Sequence, residues 1–405
     1  MSNRRIKERQ KDLNKGKPDR AIILFTLFMV VFGTIMIFNA SVYIAGQIFD
    51  DQAYFLKLQL IWILIGTILG TIVYLIDYHK IIKFITPVLL INIVLLVLVL
   101  IYGEEINGAR RWFDIGGVRI QPAEFIKPVL IIFFAALLAK FNNIKTTSTA
   151  HAYQEGKRKI ITFVFVLFLV SVLIMLEPDM GTTIVICLTA MALFFLSSTS
   201  ALQTIGTIVT TILLGLIGTI SIIIEPYRLE RISTYFQLLL QGEVADPRGA
   251  GYQLHQILIG VGSSGFWGKG FGQSRQRFGY LVENTAFTDS TFAVVLEEFG
   301  FISAIIIIGL WIFFLFKGYQ IAKNAPDIQG KLIAIGITLW LTLQAMLNIA
   351  ANIGIIPITG LPLPFFTYGG SSTIVTFVGI ALLLQISRYS NKEVKYAKSF
   401  YGKIR

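Results

Sequence analysis

The sequence predicts an all-α polytopic membrane protein of about ten transmembrane helices, with both termini cytoplasmic and a large outer loop between spans 7 and 8. Three observations carry this. Hydrophobic residues make up 55% and charged residues 14%, against roughly 25% charged in a soluble domain. Long runs such as Val88 to Ile101 and Ile161 to Leu176 carry no charge at all. Lys and Arg gather in both tails and in alternate segments between the runs, as in chains oriented by their basic cytoplasmic loops.

The first segment, residues 1–20, holds eight basic against three acidic residues and has no apolar periodicity. It reads as a disordered, basic cytoplasmic tail that faces anionic lipid. The apolar run after it lacks a small-residue cleavage site and reads as a retained signal anchor. Spans follow at Ala21–Ile44, Phe55–Ile76, Ile81–Tyr102, Pro122–Ala139 and Ile160–Leu176. Five more are expected at Gly181–Leu196, Leu202–Ile224, Asp289–Phe316, Leu332–Ile355 and Leu363–Ile386. Pro178, between Glu177 and Asp179, separates the fifth span from the sixth by a tight turn. Residues 21–388 thus form one membrane domain with an outer loop over 225–288, and residues 389–405 form a second basic cytoplasmic tail.

With both tails inside, the span count is even, and ten fits. The net charge of +12 lies mostly on the cytoplasmic side, which points to membrane lipids and not to nucleic acid. Asp50, Asp51, Glu104, Glu105, Glu177, Asp179, Glu225 and Glu283 fall on the outer side, so any chemistry is expected there. Cys187 stands alone in an apolar run and reads as a small buried hydrophobe.

The outer loop is too apolar for disorder, with Tyr235, Phe236, Leu238 to Leu240 and a glycine- and aromatic-rich stretch from Ile257 to Phe271. Helices lying in the membrane interface are expected, with a plain packing loop as the alternative. Ionisable residues inside spans are costly and so are functional candidates. Glu124 and Lys127 lie three apart on one helical face, either as a structural ion pair or as a paired site facing a polar cavity. Arg110 and Arg111, with Trp112, form a cationic outer rim that suits phosphate or serves as an interfacial anchor. Asp289 opens the eighth span above Glu297 and Glu298, as a helix N-cap or as a carboxylate poised for general-base work in a low dielectric. Asp77 and Asp179, also at span ends, read as structural. The pair Gly66 and Gly70 fits close helix packing. No Walker loop, zincin motif or cysteine-rich metal motif is present.

Five blocks carry a specific resemblance: Asn107–Lys127, Glu177–Thr183, Gly251–Leu281, Thr288–Gly300 and Gly360–Ser372. On these the chain resembles the SEDS family (shape, elongation, division and sporulation) of the FtsW and RodA proteins, over roughly Phe32 to Arg388. The stretches GYQLHQ and GQSRQRFGYL look more like the FtsW branch. Three departures stand out. The family's usual His-Thr-Asp is Phe287-Thr288-Asp289, its Gln-Pro-Ser-Glu ends in Ala123-Glu124, and its Phe-Ser-Tyr-Gly-Gly carries Thr367. The first leaves no histidine for a proton relay beside the acid.

The resemblance implies a peptidoglycan glycosyltransferase that polymerises lipid II at the outer face of the cytoplasmic membrane, for cell division, beside a class B penicillin-binding protein. It implies Asp289 as the catalytic acid, with Glu124 and Lys127 lining its cavity. An inverting displacement needs a base for the acceptor hydroxyl and cations for the departing diphosphate. Asp289 is the expected base. Arg110, Arg111, Lys127, Arg275 and Arg277 are the expected substrate-binding cations, with Glu124 beside them. A divalent cation, Mg or Mn, fits that role too, although no ligand set identifies one. A lipid II flippase and a scaffold for the transpeptidase are the alternative readings.

Overall fold

The computed structural model describes residues 16–106, 108–139, 149–197, 215, 226–242, 244, 251–278 and 286–401. Its helices are α1 (Arg20–Phe49), α2 (Tyr54–Leu75), α3 (Tyr78–Tyr102), α4 (Pro122–Ala139), α5 (Thr149–Leu176) and α6 (Met180–Ser197). They continue with α7 (Pro226–Gln241), α8 (Tyr252–Ser263), α9 (Thr291–Lys323), α10 (Ile328–Asn352) and α11 (Gly370–Tyr401). Among the described residues nine helices, α1 to α6 and α9 to α11, are long and apolar enough to cross a membrane. The expected span Leu202–Ile224 lies outside the described residues except for Gly215, and residues 1–15 and 402–405 of the two tails lie outside them as well.

Burial ranks the helices. In α4, α10 and α11, 78% of the most apolar stretch is buried, against 17% in α2, so the first three are central and α2 is peripheral. Leu75, Phe84 and Tyr102 remain 72%, 67% and 74% exposed on α2 and α3. A continuous apolar exterior of this kind is stable only against lipid. Gly66 and Gly70 let α2 sit on α11: a Cβ at either would come within 3.2 Å of Phe377. Close approach through small residues is how membrane helices gain packing energy.

Both described ends of the chain meet at one end of the bundle, the tail end. The Asp19 amide donates to Ser387 Oγ at 2.9 Å, while the Asp19 carboxylate caps α1 by accepting from Ala21 N at 2.8 Å. Nearby, Gln385 Nε2 donates to the carbonyls of Val73, Tyr74 and Ile76, closing the α2–α3 turn. His79 then lies between Asp77 (2.8 Å) and Asp327 (2.7 Å), tying the start of α3 to the start of α10. Asp77 also accepts from His79 N at 2.9 Å and so caps α3, a structural role.

The opposite end carries the long loop and departs from an all-helical chain. Between α3 and α4 runs an antiparallel sheet of β1 (Glu104–Ile106), β2 (Ala109–Ile115) and β3 (Val118–Ile120), in the order β1-β2-β3. Gly116 and Gly117, at φ +65° and +84°, make the two-residue turn between β2 and β3. The Gly-Gly pair, flanked by apolar residues, is the sequence signal for this hairpin.

Arg111 on β2 reaches across to the α5–α6 turn. Its Nε donates to Glu177 O at 2.7 Å, and its Nη2 donates to Pro178 O. The turn is the break expected at Pro178, and Asp179 caps α6 by accepting from Thr182 N at 2.9 Å. Glu177 itself is fully buried, and among the described residues neither of its carboxylate oxygens has a hydrogen-bond partner. Desolvation first, then the Asp179 charge, pushes its pKa up to about 9, against the pull of Arg111. The folded protein therefore holds a proton that the unfolded chain releases above the ordinary value of 4.5. Stability from this group falls as pH rises from that value towards 9 and is level above it. Glu177→Gln is expected to raise thermal stability by about 1–2 kcal/mol near pH 8 and to change nothing near pH 4. Unfolding scans in detergent at both pH values check this.

Two boundaries differ from the sequence reading. The eighth span starts at Thr291 and not at Asp289, and Ser290 occupies the N-cap position. The helical N-cap reading of Asp289 is thereby set aside. The last span starts at Gly370 and not at Leu363. Residues 361–368 instead form a non-helical segment in which Leu361, Leu363 and Phe366 are at most 1% exposed. The prolines at 362 and 364 keep this stretch from joining α11.

Candidate active site

Asp289 sits in the turn Phe287–Ser290, and the carbonyls of the turn are anchored one by one. Tyr368 N donates to Phe287 O at 2.9 Å, and Thr367 Oγ1 donates to Thr288 O at 2.7 Å. Asn348 Nδ2 and Asn352 Nδ2 donate to Asp289 O at 2.7 and 2.9 Å. Phe287 packs on Phe55 (ring centroids 4.4 Å) and Tyr368 (6.0 Å) and is 3% exposed. The side chain at the family's usual histidine position is thus part of an aromatic cluster.

The Asp289 carboxylate is neither sealed nor fully open. Thr288 Oγ1 donates to its Oδ1 at 3.2 Å. Gly360, at φ +68°, lies beside its Oδ2, and a Cβ there would be 3.9 Å away. Burial raises the Asp289 pKa above the ordinary carboxylate range, while Arg231 on α7 and the amide of Gln253 on α8 pull it back. Arg231 Nη1 also donates to Ile358 O at 3.1 Å, and Tyr235 OH donates to Ile355 O. These two bonds hold α7 against the segment between α10 and α11. The outward side of α7 exposes Leu229, Phe236, Leu239 and Leu240, as an amphipathic interfacial helix would.

Lys127 and Glu124 form a sealed pair on α4. Lys127 Nζ lies 2.7 Å from Glu124 Oε1 and 3.0 Å from Gln344 Oε1, with both charged side chains at most 3% exposed. The ammonium also stands 5.9 Å from the Trp340 ring centroid. Gln344 Nε2 donates to Pro362 O at 2.9 Å, and Asn348 Nδ2 to Leu361 O at 2.7 Å. The pair and Asp289 are therefore joined through α10 and the 360–363 segment, with no direct bond between them.

The remaining arginines separate. Arg110 is exposed and bonds Glu105 at 3.2 Å, while Arg111 is spent on the two carbonyls of the α5–α6 turn. Arg275 is exposed, and its main-chain amide donates to Glu297 Oε2 at 3.1 Å. Arg277 Nη1 donates to Asn39 Oδ1 at 2.7 Å, and Asn39 in turn donates to Glu298 at 2.7 Å. Glu297 accepts from Lys269 Nζ and Ser274 Oγ, both at 2.6 Å. Both acids of α9 thus clamp the 264–278 loop where α9 kinks at Gly300, φ +70°. Gly268 crosses there so closely that a Cβ on it would meet Glu298 O at 2.2 Å.

Arg231, Gln253, Asn348 and Asn352 were not singled out by the sequence. The amides had a readable signal: Gln344, Asn348 and Asn352 recur every four residues in an apolar span. Arg231 had none beyond its place in a loop helix. Among the described residues no group of three His, Cys, Asp or Glu converges to hold a metal.

Fold and site together define a polytopic α-helical membrane protein with a partly enclosed carboxylate set among amides and a guanidinium at the loop end of the bundle. The chain belongs to the Cell cycle protein family of FtsW, RodA and SpoVE, which it matches over residues 19–392. It is 37% identical over 380 residues to Stage V sporulation protein E of Bacillus subtilis, covering 93% of this chain and 98% of that one. It is 35% identical over 376 residues to the probable peptidoglycan glycosyltransferase FtsW of Nitrosomonas europaea, covering 91% and 92%. Its fold is similar to a chain solved in a peptidoglycan synthase complex that coordinates polymerization and crosslinking (TM-score 0.71, 24% identity, 92% and 98% covered). It is also similar to RodA of Thermus thermophilus (TM-score 0.62, 22% identity, 92% and 97% covered).

Proposed function

We propose that the protein is a peptidoglycan glycosyltransferase that polymerises lipid II into glycan strands at the outer face of the cytoplasmic membrane, in septal wall synthesis. The observation that carries this is the half-buried Asp289 carboxylate at the loop end of the bundle, held through its main chain by Asn348 and Asn352. Asp289 takes the proton from the acceptor 4-hydroxyl as that oxygen attacks C1 of the donor sugar. The C1–O bond to the diphosphate breaks, and its electron pair leaves with the diphosphate, giving inversion. A base pKa raised towards the working pH makes the proton transfer efficient. Arg231 stabilises the departing diphosphate, and exposed Arg110 and Arg275 serve substrate entry. Lys127 and Glu124, sealed from solvent, act through the 360–363 segment they help to hold.

The basic tails at the other end support placing the loop end outside. The tail end is tied shut by Gln385, His79, Asp77 and Asp327, which supports chemistry on one face over passage between two. The lipid tail of the substrate lies between spans, and a class B penicillin-binding protein crosslinks the product.

The test is incubation of the full chain, with its cognate transpeptidase, with labelled lipid II in detergent micelles, where no bilayer needs crossing. Size-resolved glycan polymer is the expected product. No polymer, but movement of a labelled lipid II across proteoliposomes, assigns a flippase. Neither activity, but stimulation of crosslinking by the added transpeptidase, assigns a scaffold.

A further inference from the structure

Gln344, Asn348 and Asn352 lie on one face of α10, and Asn348 and Asn352 are 2% and 3% exposed. Asn348 uses both N–H groups of its amide, one on Asp289 O and one on Leu361 O, each at 2.7 Å. Asn352 adds a second donor to Asp289 O at 2.9 Å and is itself held near Asn348 O at 3.0 Å. A single side chain thus ties the turn bearing the acid to the residue after Gly360, whose missing Cβ faces Asp289 Oδ2. The main-chain carbonyls at 287 and 288 are fixed from the far end of the same segment, by Tyr368 and Thr367. Asp289 O is the one carbonyl of the three that depends on α10.

We propose that Asn348, supported by Asn352, is a positioning residue for the transfer reaction: it sets the gap between the Asp289 carboxylate and the 360–363 segment. Asn348 acts through Asp289 and does not touch substrate. This rests on the reading of Asp289 as the base. Loss of both amide donors frees the carbonyl, and the carboxylate swings with it. A misplacement of about 1 Å in a catalytic group lowers rate by about a hundredfold.

The experiment is steady-state lipid II polymerisation by the full chain with its transpeptidase, each rate normalised to the fraction of protein that binds lipid II. Asn348→Ala is expected to lower kcat by about a hundredfold with KM changed less than about threefold. Asn352→Ala is expected to lower kcat by about tenfold, because Asn348 remains. The double variant is expected to be worse than either single variant, since only then is the Asp289 carbonyl without a donor from α10. A merely structural pair would instead lower the lipid-binding fraction, with additive losses. If Asn348→Ala does not fold, Asn348→Leu, close in size and lacking the donors, is measured in its place. A kcat within about threefold of the parent, or a raised KM at unchanged kcat, overturns the proposal. Inactivity of Asp289→Asn beside a fully active Asn348→Ala removes the positioning role alone. Full activity of Asp289→Asn removes the base and the positioning role together.

Discussion

Asp289→Asn is expected to lower lipid II polymerisation by about 10²–10⁴-fold, the range typical for removal of a general base. The amide has the size of the carboxylate and still accepts from Thr288 Oγ1, but it takes no proton. The anchors of the turn bind main-chain carbonyls, so they survive the change. Folding is therefore preserved. Because burial raises the Asp289 pKa, the folded state retains its proton to higher pH than the unfolded chain does. Stability from this group therefore falls as pH rises from the ordinary carboxylate value through the raised one. Asp289→Asn removes that penalty, so its Tm at neutral pH is expected to equal or exceed the parent's. Activity in the parent follows the opposite sign: the base works only when deprotonated, so the rate falls as pH drops through the raised pKa. A pH–rate profile of the parent beside thermal scans of both proteins separates the two effects.

Lys127→Met is expected to destabilise the protein by about 3–5 kcal/mol, the second large effect. Among the described residues the ammonium is the one hydrogen-bond partner of Glu124 Oε1, and Glu124 Oε2 has none. Removing the cation leaves an uncompensated carboxylate in a site at most 3% exposed. Gln344 keeps its bond from Trp340 Nε1 at 2.9 Å, so the loss is concentrated on Glu124. Replacing both partners, Glu124→Gln with Lys127→Met, is expected to recover most of the stability, because burying a pair of charges gains little over apolar packing. Unfolding in detergent measures all three. A single variant within about 1 kcal/mol of the parent contradicts a buried ion pair at this place.

Much of the fold was legible because lipid imposes a length and a composition on every span. Nine of the expected spans have their helix among the described residues, and the tenth falls outside them except for Gly215. Helix ends were less legible. Asp289 precedes its helix, because the turn is fixed by side chains from α10 and residues 367–368, which sequence periodicity does not encode. The last helix starts late because Pro362 and Pro364 hold a buried, non-helical segment with a turn at 364–366 that hydropathy reads as membrane. The β2–β3 hairpin was marked by Gly116-Gly117 but hidden by its short strands. Within the site, Asp289 and the Glu124–Lys127 pair stood out as ionisable groups in apolar surroundings. Arg231 did not, because its distance to Asp289 depends on how α7 folds back over residues 355–358. Conversely, Arg111 and Arg277 looked like free cations, and their partners, two backbone carbonyls and Asn39, are remote in sequence.

The most direct measurement takes parent and Asp289→Asn through one pair of readings on the same samples: lipid II bound per protein, and glycan length made in the presence of the transpeptidase. Long glycan from the parent and none from the variant, at equal lipid II binding, is the predicted result. Glycan of parental length from Asp289→Asn would contradict Asp289 as the base.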